Sequence, residues 1–205
     1  MTRLFLIRHA TIPDAGRRLA GRVAGVHLDD RGRMQAQALA TRFAEVPLAA
    51  IYSSPLERAL ETAEPMAKLL GLPVIAREEF QEIDFADWSG RAIDELAGDV
   101  EFQRFNRLRS CAPVPGGEFM LQAQARMISG LEALRARHQS DSVVVVSHGD
   151  MIKAAIAHYA GIPLDLFQRL QIGLASTSVV DIDDTTVRIV AVNDTGATSP
   201  GGEPC

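Results

Sequence analysis

Residues 4–11 read Leu-Phe-Leu-Ile-Arg-His-Ala-Thr, and this stretch decides the fold. A short apolar run that stops abruptly at polar residues is typical of a buried strand in a parallel sheet. Open α/β sheets bind their ligands beyond the carboxyl ends of such strands. Arg8 and His9 therefore stand where a binding site is expected, although for an isolated Arg-His pair the start of a surface loop would be the preferred interpretation.

A second histidine follows a second apolar run. Residues 143–147 read Val-Val-Val-Val-Ser and lead into His148, after which an apolar-periodic stretch predicts a helix. The carboxyl ends of parallel strands lie at one edge of their sheet. The sequence therefore predicts that His9 and His148 face a common site.

A helix start is expected directly after a further strand, predicted at 49–53. Ser54 has the residue type of an N-cap, Pro55 suits the first helical position, and Glu57 completes a capping box. Arg58 then falls in or near the first turn. Helix N-termini attract anions, and a guanidinium there adds charge-assisted hydrogen bonds. Together with Arg8 and the two histidines, Arg58 indicates a site for an oxyanion.

The order of these motifs resembles the histidine phosphatase superfamily, in its phosphoglycerate mutase-like branch. The resemblance begins with Arg8-His9, continues with Ser-Ser-Pro-Leu-Glu-Arg-Ala at 53–59, and includes Ser147-His148-Gly149. Residues 28–36, 81–90 and 115–118 are similar to further segments of the family. The resemblance thus covers nearly the whole chain and rests on these motifs in order.

The resemblance implies a role for each matching residue. His9 would be the nucleophile that takes the phosphoryl group, and Glu82 would protonate the leaving oxygen. Asp84 and Asp87 are nearby alternatives to Glu82. The phosphate oxygens would be held by Arg8, Arg58 and His148. Positive charge placed in advance around the phosphoryl group supplies most of the catalysis in such reactions, so neither a metal ion nor another cofactor is expected.

Two departures from the family pattern concern the phosphate site. Ala10 stands where the family most often has glycine, which would matter if the residue needed a positive φ. The loop at 12–16 lacks the asparagine that many members use to bind phosphate. Thr11 is the predicted substitute ligand through its hydroxyl group, and Arg22 is a further predicted substrate contact.

Residues 91–118 are predicted to form a lid or specificity segment. Phe102, Phe105 and Leu108 have helical spacing, so one interpretation is a helix packed by its phenylalanines with a solvated basic face. The other is a lid that contacts the substrate. Candidates to bind a second anionic group of the substrate are Arg17, Arg18, Arg22, Arg104, Arg107 and Arg109.

The alternation of strands and helices predicts an α/β fold. We expect a three-layer sandwich, with a mostly parallel central sheet between helices and one antiparallel edge strand. Strands are predicted at 3–8, 49–53, 73–77, 142–147, 177–182 and 187–192. The last two are joined by a hairpin turn at 183–186. Residues 1–195 would form one domain, and the Gly- and Pro-containing tail at 196–205 is predicted to be disordered.

Composition fits a small-molecule enzyme. The chain has 205 residues, of which 47% are apolar, enough for a sizeable core. Its 21 basic and 26 acidic residues give a net charge of −5, which argues against nucleic acid and anionic membranes as partners. No apolar run approaches the length of a membrane span, and the N-terminus lacks signal-peptide features, so a cytoplasmic location is predicted. A homodimer is plausible.

The expected function is hydrolysis of a small-molecule phosphate ester through a phosphohistidine. A cofactor-dependent phosphoglycerate mutase is the close alternative; it must exclude water while His9 carries the phosphoryl group. A catalytically impaired phosphate-binding or regulatory module is a third interpretation, motivated by Ala10 and the missing asparagine. A metal hydrolase is disfavoured because no compact metal motif occurs. The remaining histidines are interpreted as surface or packing residues: His27, His138 and His158.

Overall fold

The computed structural model describes residues 1–196 of the chain. The strands are β1 (Thr2–Arg8), β2 (Leu48–Ser53), β3 (Val74–Ala76), β4 (Ser142–Ser147), β5 (Thr177–Ile182) and β6 (Val187–Asp194). The helices are α1 (Asp30–Phe43), α2 (Glu57–Leu70), α3 (Ile93–Ala97), α4 (Val100–Arg107), α5 (Met120–Arg137) and α6 (Gly149–Ala160). Short 3₁₀ helices lie at Glu78–Phe80, Ala86–Trp88 and Leu164–Arg169. The strands form one sheet in the order β3-β2-β4-β1-β5-β6.

Side chains of β4 alternate between the two faces of the sheet, as the pleat of a strand requires. Val143 and Val145 face a core formed with α5 and α6, whereas Val144 and Val146 face a core formed with α1 and α2. All four valines are fully buried, which explains why this strand is a continuous apolar run. The result is the three-layer sandwich predicted from the sequence.

The sheet is mostly parallel. Strand β4 pairs in parallel with β1 and with β2, and β2 pairs in parallel with β3. Strand β5 is antiparallel to both β1 and β6, so the antiparallel strand lies one position inside the edge and β6 forms the edge itself. The hairpin turn is present as predicted: Asp183 N donates to Thr186 O at 3.0 Å. The predicted fold class is confirmed.

Helix α2 begins at Glu57, so the capping box predicted at Ser54 is wrong. Ser54 Oγ accepts a hydrogen bond from Leu56 N at 3.3 Å and lies 2.8 Å from His148 Nε2. The Ser54 hydroxyl therefore bonds to the loop amide and to His148, and it does not cap an amide of the helix. Arg58 still lies in the first turn, as predicted.

The element boundaries agree with the sequence to within two residues for every predicted strand. Of the tail predicted to be disordered, residues 197–205 lie outside the part of the chain that the structure describes. Within residues 1–196, no helix combines the length and the apolar character needed to cross a membrane.

Candidate active site

The sheet topology brings the predicted site residues to one edge. Strand β4 lies between β1 and β2, in a register that pairs Arg8 with Ser147. His9, Ser54 and His148 are the residues that follow β1, β2 and β4. The ring centroids of His9 and His148 are 5.3 Å apart. The two histidines predicted to share a site therefore do lie together.

A pocket of about 380 Å³ opens at this edge. Four of the predicted site residues line it: Arg8, His9, Arg58 and Glu82. Its other walls come from the loop at 15–21, from Ile93 at the start of α3, and from Asp150 and Lys153 on α6. His148 is fully buried and is not one of the residues lining the pocket.

The His9 ring is held in one tautomer. His9 is only 5% exposed, and its Nδ1 lies 2.8 Å from the carbonyl oxygen of Ala10. A carbonyl can only accept, so Nδ1 carries the hydrogen and Nε2 keeps its lone pair. Burial, together with the charges of Arg58 and Arg8, holds the pKa of His9 well below its ordinary value. His9 is thus neutral and oriented, as a nucleophile must be.

Ala10 fits its position without strain. It is fully buried and does not adopt a positive φ, so the family's usual glycine is not required here. Its amide donates to Thr62 Oγ1 at 2.9 Å, and the Thr62 hydroxyl donates to the carbonyl of Arg58 at 2.6 Å. Thr62 therefore joins the loop that carries His9 to the first turn of α2.

Two guanidinium groups line the same pocket as His9 and have donors that are not hydrogen-bonded. Arg58 Nη2 donates to Gly21 O at 2.7 Å, and Arg8 Nη1 donates to Ile172 O at 2.7 Å. Among the described residues, Arg8 Nε and Arg58 Nε and Nη1 are buried without a hydrogen-bond partner. Buried donors of this kind are costly unless paired, and an oxyanion between the two arginines would pair them.

Gly149 lets Arg8 approach the backbone. A Cβ atom at Gly149 would lie 3.1 Å from both Nε and Cζ of Arg8, closer than ordinary van der Waals contact. The glycine is the first residue of α6, directly after His148. The absence of a side chain there explains why the Ser-His-Gly motif suits this site: it leaves room for the guanidinium beside the pocket.

His148 orients Arg58. Arg58 Nη2 lies 3.2 Å from His148 Nδ1, and a guanidinium can only donate, so Nδ1 is the acceptor. The hydrogen is then on Nε2 and points to Ser54 Oγ. Burial and the nearby Arg58 hold the pKa of His148 well below its ordinary value. A neutral His148 is what this hydrogen-bond pattern requires.

Glu82 reaches the pocket from the loop before α3. Burial raises the pKa of its carboxyl group, and the charge of Asp150 raises it further, while Arg58 and Arg8 act in the opposite direction. The net direction is upward, which favours the protonated form. Of the alternatives to Glu82, Asp87 is exposed, and Asp84 accepts from Ala86 N at 2.9 Å. Neither aspartate lines the pocket.

The positions of Thr11 and Arg22 do not support their predicted contacts with substrate. The Thr11 hydroxyl donates to Gln35 Oε1 at 2.7 Å, and neither residue lines the pocket. Arg22 donates instead to the carbonyl of Glu82 at 2.7 Å and to Glu118 Oε2 at 3.0 Å. The arginine thus contacts the segment that carries the carboxylic acid, not the pocket.

Three further charged residues line the pocket. One was only a candidate in the sequence analysis, and the other two were not predicted. Arg18, one of the six candidate arginines, lines the pocket. Asp150 and Lys153 line it as well, and they are 3.6 Å apart on one face of α6. The i, i+3 spacing directly after His148 is the only sequence signal that pointed to them.

The segment at 91–118 is packed by aromatic side chains. Phe105 is fully buried, and its ring centroid lies 5.7 Å from that of Trp88, while Phe102 lies 5.2 Å from Trp88. Leu108 falls beyond the end of α4 and is 43% exposed, so it does not continue the stripe. Arg109 is buried beside Phe105 and donates to Asp150 Oδ2 at 2.9 Å. The phenylalanine contacts fit the packing interpretation, but Arg109 is buried and does not belong to a solvated basic face.

The three remaining histidines lie away from the pocket. His27 pairs with Glu61, His138 Nε2 lies 2.8 Å from the Tyr52 hydroxyl, and His158 is exposed on α6. Across residues 1–196, no three His, Cys, Asp or Glu side chains are placed where they could share a metal ion. Cys111 is a free, exposed thiol.

The fold and the site together define an α/β enzyme that acts on phosphate esters. The model of the histidine phosphatase superfamily (branch 1) matches residues 4–195. The chain belongs to this superfamily. That membership confirms the resemblance stated from the sequence and the enzyme class it implied, a phosphoric monoester hydrolase.

Individual relatives cover almost all of the chain. Phosphoserine phosphatase 1 of Hydrogenobacter thermophilus is 32% identical over 200 residues, which is 95% of this chain and 93% of the relative. The probable phosphoglycerate mutase GpmB of Shigella boydii is 30% identical over 188 residues, 90% of this chain and 87% of the relative. The solved structure of Bacillus stearothermophilus YhfR has a TM-score of 0.89 at 29% identity, covering 95% of this chain and 98% of that one.

Proposed function

We propose that this protein hydrolyses small phosphate monoesters through a phosphohistidine at His9, without a metal ion. The observation that carries the proposal is a neutral His9 whose Nε2 is free, in a pocket that it shares with two guanidinium groups whose donors are unpaired. A phosphoryl group in transfer carries negative charge on its equatorial oxygens. Arg8 and Arg58 would bind those oxygens, while His148 keeps the Arg58 guanidinium in place.

The reaction has two steps. His9 Nε2 attacks phosphorus, the ester P–O bond breaks, and the Glu82 carboxyl gives its proton to the leaving oxygen. The Glu82 carboxylate then takes a proton from water, whose oxygen attacks the phosphohistidine. This step releases inorganic phosphate and restores neutral His9 and protonated Glu82. The lowered pKa of His9 favours its neutral form and the raised pKa of Glu82 favours its protonated form, and these are the two starting forms of the reaction.

The test is hydrolysis of p-nitrophenyl phosphate in the presence of a chelator, with rapid acid and alkaline quenching of enzyme mixed with ³²P-labelled substrate. We expect turnover that is unaffected by the chelator and a phosphoenzyme that is stable in alkali but labile in acid, as a phosphoramidate bond is. Loss of activity in chelator would favour a metal hydrolase. Phosphate binding without turnover would favour the impaired module, and conversion of 3-phosphoglycerate to its isomer without phosphate release would favour a mutase.

We further propose that the substrate carries a carboxylate beside its phosphate ester. Phosphoserine and phosphoglycerate, which occur in the names of the relatives, share this feature. Arg18 and Lys153 line the same pocket as Arg8 and Arg58 and supply further positive charge there. Residues 1–195 would act as one domain, with the segment at 91–118 supplying Ile93 to the pocket wall. The cytoplasmic location and the homodimer stay predictions.

An Arg18→Ala variant tests the carboxylate proposal. We expect kcat/KM for phosphoserine to fall about tenfold, because one charge-assisted hydrogen bond to the substrate is lost. With phosphoethanolamine, which lacks the carboxylate, kcat/KM should stay within about twofold of the parent. Arg17→Ala is the matched control, because Arg17 is exposed next to Arg18 but does not line the pocket. Equal losses with both substrates would contradict the assignment.

A further inference from the structure

Three charged side chains hold the acid loop, residues 79–84, from outside the pocket. They come from separate parts of the chain: Arg22 from the loop after β1, Glu118 from the turn before α5, and Arg126 from α5 itself. We call them the acid-loop clamp. All three are largely buried, with exposed side-chain fractions of 29%, 14% and 20%.

Arg126 uses every nitrogen of its guanidinium on this contact. Nη1 donates to the carbonyls of Glu79 at 2.9 Å and Gln81 at 2.7 Å, and Nη2 donates to that of Glu82 at 3.0 Å. Nε donates to Glu118 Oε1 at 2.7 Å. A lysine ammonium could not make this set of bonds, because its donors radiate from a single atom.

Arg22 and Glu118 complete the clamp. Arg22 Nε donates to the carbonyl of Glu82 at 2.7 Å, so this one oxygen accepts from two guanidinium groups. Glu118 Oε2 accepts from Arg22 and from Arg126, each at 3.0 Å. The Glu118 backbone also donates to the carbonyl of Asp84 at 2.9 Å. The carboxylate therefore links the two guanidinium groups, and its single negative charge is shared between them.

We infer that Arg126, Glu118 and Arg22 are positioning residues that fix the Glu82 carboxyl for proton transfer to the leaving group. The inference rests on the proposed function, in which Glu82 is the acid. Two charge-assisted hydrogen bonds to the carbonyl of Glu82 hold the backbone of that residue in place. The position of the backbone in turn limits where the Glu82 side chain can lie. Misplacement of a catalytic group by about 1 Å costs about 100-fold in rate, so fixing the loop matters to the reaction.

The test exploits leaving groups of different basicity. The serine alkoxide must be protonated as it leaves, whereas p-nitrophenolate is stable as an anion and leaves without a proton. The parameter to compare is kcat/KM, because it reports only the steps up to phosphohistidine formation. A displaced Glu82 therefore slows phosphoserine cleavage selectively, while a general loss of folded enzyme slows both substrates equally.

For Arg126→Lys, we expect the ratio of kcat/KM for phosphoserine to kcat/KM for p-nitrophenyl phosphate to fall about 10- to 100-fold. Arg135→Lys, on the same helix but paired with Glu132 and Asp184, is the matched control and should leave the ratio unchanged. Glu118→Gln, which keeps the shape of the side chain, should lower the ratio in the same direction. It also decides the matter if Arg126→Lys does not fold, as judged by circular dichroism.

The Glu82→Gln variant distinguishes a failure of the inference about the clamp from a failure of the proposed function. If Glu82→Gln lowers the ratio while Arg126→Lys and Glu118→Gln leave it unchanged, the clamp is structural only and the inference fails, while the proposed function stands. If Glu82→Gln itself leaves the ratio unchanged, the assignment of Glu82 as the acid fails first. A ratio lowered in all three variants, and kept in Arg135→Lys, supports both.

Discussion

A His9→Ala variant should lose kcat by about 10⁴-fold or more, because the covalent route disappears with the nucleophile. His9 is only 5% exposed, and its Nε2 keeps a free lone pair because Nδ1 donates to the carbonyl oxygen of Ala10. The loss should be seen with phosphoserine and with p-nitrophenyl phosphate alike, because both must pass through the phosphohistidine. Rapid quenching with ³²P-labelled substrate should trap no phosphoenzyme.

Substrate binding should survive the same substitution. Arg8 and Arg58 keep their unpaired donors in His9→Ala. Calorimetric titration with inorganic phosphate, which the parent also binds without turnover, should therefore give a dissociation constant within about tenfold of that of the parent, a change worth about 1.4 kcal/mol. His158→Ala is the control, since His158 is exposed on α6. Retention of more than a few per cent of kcat in His9→Ala would remove His9 from the nucleophile role.

The sequence predicted the inner part of the site because strand ends are local signals. His9 and His148 each follow an apolar run, and parallel strands place such ends at one edge of a sheet. The prediction needed only the assumption that the two strands lie close together, and β1 and β4 are direct neighbours. Arg58 was found for a similar reason, because it lies at the start of a helix that follows a third strand.

The capping box at Ser54 failed because a local pattern competed with a long-range partner. Ser54 and Glu57 have the right spacing, but the Ser54 hydroxyl lies 2.8 Å from His148 Nε2, a residue 94 positions away. A side chain held by the site does not cap the helix, so α2 starts at Glu57. Nothing in the pattern of a capping box reports on such a partner.

The acid-loop clamp was beyond the sequence for the same physical reason. Arg126 contacts carbonyls that lie 44 to 47 residues before it in the chain. Every residue has a backbone carbonyl, so the residue types in the sequence do not indicate which carbonyls accept these bonds. Arg22 was assigned to the substrate from its place in the loop after His9, yet its guanidinium faces Glu82 and Glu118. A sequence shows which residues are charged, but it does not show which partner a charged side chain in a loop contacts.

A Glu82→Gln variant should lower kcat/KM for phosphoserine by about 10²- to 10⁴-fold, the usual contribution of a positioned general acid. Glutamine keeps the size of the side chain but has no acidic proton to give. With p-nitrophenyl phosphate the loss in kcat/KM should be less than about tenfold, because that leaving group needs little proton transfer. Asp87→Asn is the matched control: Asp87 lies in the same loop region, is exposed, and was one of the two alternative acids.

The pH dependence provides a second readout of the same residue. The reaction needs protonated Glu82, so kcat/KM for phosphoserine should fall as pH rises through the pKa of that carboxyl, which burial and the charge of Asp150 raise. Glu82→Gln should lose this falling limb, while changes due to titration of the substrate phosphate remain in both enzymes. Asp150→Asn removes one cause of the raised pKa, so it should move the limb to lower pH. A limb that persists unchanged in Glu82→Gln would mean that another group supplies the proton.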